Sequence, residues 1–474
     1  MKTKISGLLL PVATLALLFT LCLHTSVLYA GETSAPIFQL PKYEKFVLPN
    51  GMTVFLMERH KIPMIYISAI FPAGAIKDDI KNGLASFTAD GMMWGTKSFT
   101  KEQIEEKLDF LGARCSISAS LEYSRFGASF LSSDTEKVFP IIKEIITAPI
   151  FDAKEFDKHK KRLLLQLTQS KESPEEVIWP YFNKFFFGNH PYGNSVDGTI
   201  SSVEKITIDD LKTFYNANYK PEESAIAIVG DFIPSKMKAR ITQLFNDWNV
   251  KGKSTAIAQV PLPSFEKNRI LLVNKEDATE TQFIIGAPGV QRNNPDYIAI
   301  EVLNTIFGGR YTSLLNDELR LKNGLTYGAG SSFDYNKDAG AFAMNSYTRT
   351  ENTVKILDLA IGVLDRFHKE GITEELLTSG KNYIKGMFPP NYETSAQLAG
   401  YLTSKFYYNL DDASINKFKE YVDSLTLEKA KEIISKYFPK DKLQIVLIGK
   451  ASEIRELVKK YGELSEKEIK TDGF

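Results

Sequence analysis

Asn82-Gly-Leu-Ala-Ser-Phe-Thr-Ala-Asp-Gly-Met-Met-Trp-Gly-Thr96 is the stretch whose reading decides what this chain is. From Gly83 to Trp94 it reads as a short apolar helix. On a helix, positions 86 and 90 lie one turn apart on a common face, with 89 beside them. They hold Ser86, Ala89 and Asp90. A serine hydroxyl is a poor metal ligand and alanine can neither give nor take a proton. Only the Asp90 carboxylate is equipped for coordination.

On the N-terminal side, Phe46-Val-Leu and Met52 to Leu56 flank Pro49-Asn50-Gly51, the strongest short signal for a β-hairpin. Met64 to Phe71 is a nearly continuous apolar run, as expected for a strand buried on both faces. On the C-terminal side, Thr100 and Gln103 form a capping box. It opens a helix with Ile104, Leu108 and Leu111 on one face and a stop at Gly112. Cys115 to Leu131 reads as strand with a turn. Helices are expected over Asp134–Thr147, Asp152–Glu172 and Thr207–Tyr215, then a strand over Ser224–Val229 ending at Gly230. Phe182, Phe185, Phe186 and Phe187 form an aromatic cluster of the kind found in a core or interface.

Lys251 to Ser264 has no amphipathic period and contains Gly252, Pro261 and Pro263, so it reads as a linker. Beyond it come strands over Ile270–Val273 and Gln282–Ala287, a helix over Pro295–Phe307, and Gly308-Gly309. A shorter helix, Thr312–Leu321, is broken by Asn323-Gly324, and strands follow from Leu325 to Tyr347. Gly308-Gly309 lacks the lysine and glycine spacing of a nucleotide loop, which leaves a helix stop or a close backbone approach.

The two halves repeat one another. Ile206-Thr207 through Leu211, Phe214-Tyr215 and Ile226-Ala-Ile-Val-Gly230 has a counterpart in Leu425-Thr426 through Ala430, Ile433-Ile434 and Ile445-Val-Leu-Ile-Gly449. Thr to Gly spans twenty-three residues in both. Leu84 to Gly95 likewise aligns with Tyr297 to Gly308, each ending in an aromatic residue and glycine.

A chain of 474 residues is long enough for two domains. With 43% hydrophobic and 24% charged residues it has the make-up of a globular interior, not of a disordered chain or a membrane bundle. Lys plus Arg and Asp plus Glu both total 58, so nothing suggests the concentrated basic face that nucleic acid requires. Residues 1–30 read as a secretory signal: Lys2 and Lys4, an apolar run from Ile5 to Leu23, and a cut after Ala30. The apolar run is also long enough to span a bilayer, so an uncleaved anchor is the alternative. Cleavage removes Cys22 and leaves Cys115, which excludes an internal disulfide and fits an exported bacterial periplasmic protein.

Taken together, these motifs resemble the pitrilysin/insulinase-type zinc peptidases. The likeness rests on the Asn50-Gly51 hairpin, Asn82-Gly-Leu-Ala85, His190-Pro-Tyr-Gly193 with Gly198-Thr199, and Gly286-Ala-Pro-Gly289. It continues through Phe307-Gly-Gly-Arg-Tyr-Thr-Ser-Leu-Leu315, Leu319-Arg320 and Gly324-Leu-Thr-Tyr327. It implies an α+β fold of two homologous domains, each a mostly antiparallel sheet packed with helices, forming half of a clam-shell. Residues 31–250 would be a peptidase-like domain, 251–264 the linker, and 265–474 a second such domain. In the family the first helix carries H-x-x-E-H, whose histidines hold zinc and whose glutamate activates water. Here Ser86, Ala89 and Asp90 stand in those places, as the wall of a vacant chamber. The third ligand, a later glutamate, aligns near Leu165-Gln166-Leu167, in a stretch without a carboxylate from Leu163 to Lys171. His60, His159, His190 and His368 remain after cleavage, none sharing a helical turn with another, and His159 is free to face solvent on its helix.

The resemblance also implies a substrate-facing arginine and tyrosine seven residues apart, matched by Arg320 and Tyr327, with Gly308 and Gly309 bordering the chamber. A guanidinium and a phenol are donors suited to a peptide carbonyl or its developing oxyanion. The expectation is a non-catalytic, substrate-binding subunit with no metal of its own. Its partner would be a chain of similar length carrying H-x-x-E-H and zinc, and its ligand an extended peptide added to a sheet edge. Two alternatives stand beside it. One is a scaffold or peptide-binding protein with this fold; the other is a stand-alone zinc peptidase, which needs a metal site the sequence does not supply.

Overall fold

Two six-stranded sheets carry the chain from Pro41 onward in a computed structural model that describes residues 38–250 and 254–474. The secretory leader expected over residues 1–30 and the first three residues of the expected linker lie outside the described residues. In the first half the strands are β1 (Glu44–Val47), β2 (Thr53–Glu58), β3 (Met64–Phe71), β4 (Arg114–Ala119), β5 (Ser124–Leu131) and β6 (Ala225–Gly230). Their spatial order is β1-β2-β6-β3-β5-β4. In the second half, β7 (Arg269–Asn274), β8 (Glu280–Pro288), β9 (Ala329–Phe333), β10 (Ala341–Arg349), β11 (Gln444–Gly449) and β12 (Glu463–Glu468) run in the order β12-β7-β11-β8-β10-β9.

The repeat read from sequence is therefore present in the topology. β2-β6-β3-β5-β4 and β7-β11-β8-β10-β9 match in order and direction, the first pair of each parallel and the rest antiparallel. The sixth strand breaks the symmetry. β1 joins antiparallel to β2 through the Asn50-Gly51 hairpin, whereas β12 comes from the end of the chain and lies parallel to β7. Gly51 sits at φ +92°, which an L side chain rarely adopts, and a Cβ there would meet Glu222 at 2.7 Å.

The central strands of each sheet are buried on both faces, and the halves supply one another's covers. One face of the first sheet, through Val54, Leu56, Ile65, Ile67 and Ile228, packs on its own half's helices. Its other face receives the Ser395–Tyr408 helix of the second half, which lies against β3 and β6. There Arg125 donates to the Gly400 carbonyl at 2.9 Å and to the hydroxyls of Ser68, Thr403 and Ser404. In return the Pro174–Phe187 helix of the first half covers β8 and β11, setting Val177, Tyr181, Phe182 and Phe186 on Ile284, Val446 and Ile448. The aromatic cluster is thus an interface within the molecule, with Phe182 wholly buried. Gly286 makes room for it, since a Cβ there would lie 2.3 Å from the Phe182 ring.

Several elements depart from the sequence reading. The strands expected from Leu325 begin only at Ala329, so Tyr327 lies in the approach to β9. The helices expected over Pro295–Phe307 and Thr312–Leu321 both end as wider π-turns, Thr305–Gly309 and Asp317–Lys322. Among the described residues no helix is long and apolar enough to cross a membrane.

Candidate functional site

The Leu84–Gly91 helix is anchored at its start by a residue that sequence reasoning passed over. Asp78, 2% exposed, accepts from the Gly83 and Ala85 amides at 2.8 Å each. Those amides belong to the unsatisfied first turn, where a carboxylate also meets the positive end of the helix dipole. Burial pushes the Asp78 carboxyl well up, with these amides pulling the other way. Only its place five residues before a glycine hinted at it. Gly83 takes φ +95° between the two.

The three motif positions do not share one environment. Ala89 is wholly buried in the core beside Phe87 and lines no chamber, which corrects the expectation for it. Ser86 is half-buried. Asp90 reaches the long Ala153–Ser170 helix, where its Oδ2 lies 3.2 Å from His159 Nε2. His159 does not face solvent, contrary to the sequence reading. Its side chain is 13% exposed, with the rings of Phe87 and Trp94 at 4.9 and 5.2 Å. The helix turns this residue inward because Phe156, one turn earlier, stacks on Phe87.

Arg162 donates to His159 Nδ1 at 3.1 Å. That bond assigns the ring proton to Nε2, the nitrogen on the side of the ring nearest Asp90. Burial, then Arg162 and Lys101, brings the His159 imidazole down to about 4. Burial, then Asp197, raises the Asp90 carboxyl to about 6, against the pull of Arg162. Near neutral pH the pair is therefore an imidazole without charge beside a carboxylate.

Zinc does not fit this arrangement. A protein zinc site needs three or four converging N, O or S ligands. Ser86 and Ala89 offer none of use, Gln166 is neutral and exposed, and Asp90 and His159 are engaged with each other. Arg162 already places a fixed positive charge there. Among the described residues no three His, Cys, Asp or Glu side chains are grouped to hold a metal ion.

In the second half, Gly308 allows a helix end to press on the edge strand β9, for a Cβ there would lie 2.3 Å from Ser331 Oγ. Asn304 fastens the contact, donating to the Ser331 carbonyl at 3.1 Å and accepting from its hydroxyl at 2.6 Å. Gly309 packs beside Asn304. Both readings of the glycine pair are observed, for the helix stops at Gly309 and Gly308 permits the close approach. Asn316, also missed in sequence, donates to the Tyr311 carbonyl at 2.7 Å and accepts from the Ala329 amide at 3.2 Å. It thereby ties the segment before Arg320 to the strand after Tyr327.

Arg320 lies on the π-turn with its guanidinium 4.9 Å from the Tyr311 ring centre. Tyr327 is 79% exposed just before β9. Gly324, at φ +62°, makes the turn between them. Tyr327 thus lies just before the edge strand β9, with Arg320 on a π-turn earlier in the chain, and π-turns are frequent at functional sites.

Fold and site together define a two-domain α+β protein with a metallopeptidase's framework and a metal position rebuilt with other residues. Residues 53–200 match the family model described as Insulinase (Peptidase family M16), and residues 205–384 match Peptidase M16 inactive domain. The chain belongs to the M16 peptidase family, as an inactive-type member. It is similar to the "uncharacterized zinc protease YmxG" of Bacillus subtilis, at 21% identity over 74% of this chain and 85% of that protein. It is similar also to the "non-peptidase homolog YmxG" of Helicobacter pylori, at 24% identity over 75% of this chain and 82% of that one. The crystal structure of a peptidase M16 inactive domain from Pseudomonas fluorescens superposes with a TM-score of 0.80 at 27% identity, covering 86% of this chain and 98% of that one.

Proposed function

We propose that this chain is the non-catalytic, substrate-binding subunit of a heteromeric zinc-dependent peptidase. It supplies Arg320 and Tyr327 to the chamber of a similar-length partner that carries H-x-x-E-H and the zinc. The observation that carries this reading is the contrast between the halves. The metal-motif position is occupied by Asp90, His159 and Arg162, while Tyr327 stands 79% exposed with Arg320 seven residues before it, across the turn at Gly324. Donors presented without a metal on their own chain have use where another chain brings one.

In that chamber an extended peptide adds to a sheet edge through backbone hydrogen bonds. Arg320 and Tyr327 hold the scissile carbonyl and strengthen as negative charge grows on its oxygen. Export to the bacterial periplasm follows from the leader over residues 1–30 and from the lone Cys115 that cleavage leaves.

The test begins with a neighbouring reading frame that encodes a similar-length chain with H-x-x-E-H. Co-expressed, the two chains are expected to co-purify with zinc held by the partner, and only the pair should cleave peptides. Zinc-dependent cleavage by this chain alone, or no association with such a partner, contradicts the proposal.

A further inference from the structure

We infer that Tyr311 is the positioning residue for Arg320: its ring holds the guanidinium in place and leaves the N–H donors free for a substrate oxygen. This rests on the subunit role proposed for the chain and adds to it the residue that makes Arg320 effective.

Arg320 carries a long side chain that must give up rotamer freedom before it can meet a carbonyl in a fixed geometry. The usual way to fix an arginine is a carboxylate, which takes up two of its donors. Arg320 has two carboxylates on its own turn, and both are engaged elsewhere. Asp317 pairs with Lys322 at 2.8 Å, and Glu318 pairs with Arg366 at 2.9 Å and with Lys322 at 3.9 Å. Among the described residues the Arg320 guanidinium has no ion pair or side-chain hydrogen bond, and it lies over the Tyr311 ring, 4.9 Å from its centre. A cation over the face of an aromatic ring is held by the ring's quadrupole. The five N–H groups lie in the guanidinium plane, and such a contact consumes none of them.

Tyr311 is itself pinned through its backbone. Its carbonyl accepts from Asn316 Nδ2 at 2.7 Å. Asn316, 3% exposed, is fixed in turn: its amide donates to the buried Ser313 hydroxyl at 3.3 Å, and its Oδ1 accepts from the Ala329 amide at 3.2 Å. The Tyr311 ring is 58% exposed and lies outside the hydrophobic cores. A single exposed ring on a surface is ordinary. What marks this one is the fixed backbone beneath it and an otherwise unheld arginine over it.

The experiment is a double-mutant cycle on Tyr311 and Arg320, read by the peptide-cleavage kinetics of the full chain with the proposed H-x-x-E-H partner. With its ring more than half exposed, Tyr311→Leu is a surface change that leaves the fold intact. It should lower kcat by about fivefold or more with KM near wild type, because the geometry it disturbs matters in the transition state. Tyr311→Phe keeps the ring and should bring the rate back to within about twofold of wild type. In an Arg320→Ala background, Tyr311→Leu should cost less than about twofold, since no guanidinium remains to be held. Wild-type kinetics in Tyr311→Leu, an equal loss in Tyr311→Phe, or the same loss with and without Arg320 overturns the inference and leaves the subunit role standing. A pair that does not cleave, or Arg320→Ala at the wild-type rate, overturns the subunit role and the inference with it.

Discussion

Asp90 and His159 are shifted in opposite senses, each chiefly by burial. The Asp90 carboxyl stands at about 6 against an ordinary 3.8, and the His159 imidazole at about 4 against 6.5. Linkage fixes the signs. The folded chain keeps the Asp90 proton to higher pH than the unfolded chain does, so this group erodes stability as pH rises from about 4 to 6. It refuses the His159 proton that the unfolded chain takes up below 6.5, so this group erodes stability as pH falls from 6.5 towards 4. Across the shared window the slopes oppose, and the pair leaves stability almost independent of pH. Asp90→Asn removes one side of the balance. Denaturant melts at several pH values should show this variant losing stability relative to wild type as pH falls from 6.5 to 4; parallel curves contradict the pairing. Asp90 was legible in the sequence as a lone carboxylate at a metal-motif position. His159 was not, because nothing local joins residues on two separate helices. Asp78 escaped for the same reason: its value lies in amides that only the folded turn presents.

Local signals were read well and long-range ones poorly. The Thr100–Gln103 capping box, the Asn50-Gly51 hairpin and the stop at Gly112 depend on a few adjacent residues, and each stands as read. The Pro174–Phe187 helix does not announce itself, since Pro180 forfeits a helical hydrogen bond in its interior. Burial of its aromatic face on the other half's sheet outweighs that loss. β12 was equally opaque. Glu-Leu-Ser-Glu-Lys-Glu has no strand-like apolar pattern, and its order comes from pairing with β7, nearly two hundred residues earlier. The π-turns at Thr305–Gly309 and Asp317–Lys322 look like ordinary helix in the sequence. The weight carried by the Pro174–Phe187 helix can be measured at its centre. Phe182→Ala removes a wholly buried ring from the contact with the second sheet and should cost about 3–5 kcal/mol in chemical denaturation. A loss below about 1 kcal/mol, as surface substitutions give, contradicts the assignment of this helix to the core.

For the molecule as a whole, the exchanged helices make the two halves a single structural commitment. A buried carboxylate marks their junction. Glu122, 2% exposed in the β4–β5 turn, accepts from the Tyr192 hydroxyl at 2.8 Å, the Lys337 amide at 2.8 Å and the Tyr408 hydroxyl at 2.9 Å. Its donors come from both halves, and its carboxyl is pushed up by burial. The duplication was legible because hydrophobic spacing repeats. The exchange was not, because which half's helix covers which sheet is decided by packing across the whole chain. This frame holds Asp90, His159 and Arg162 together at the first half's metal-motif position and leaves Tyr327 exposed beside the second half's edge strand. The most direct measurement is the peptide-cleavage kinetics of this chain reconstituted with the proposed H-x-x-E-H partner. Arg320→Ala and Tyr327→Phe should each lower kcat/KM by about a hundredfold or more, the usual loss for an oxyanion donor. Circular dichroism and partner binding should stay unchanged. Wild-type kinetics in both variants contradict the role assigned to this chain.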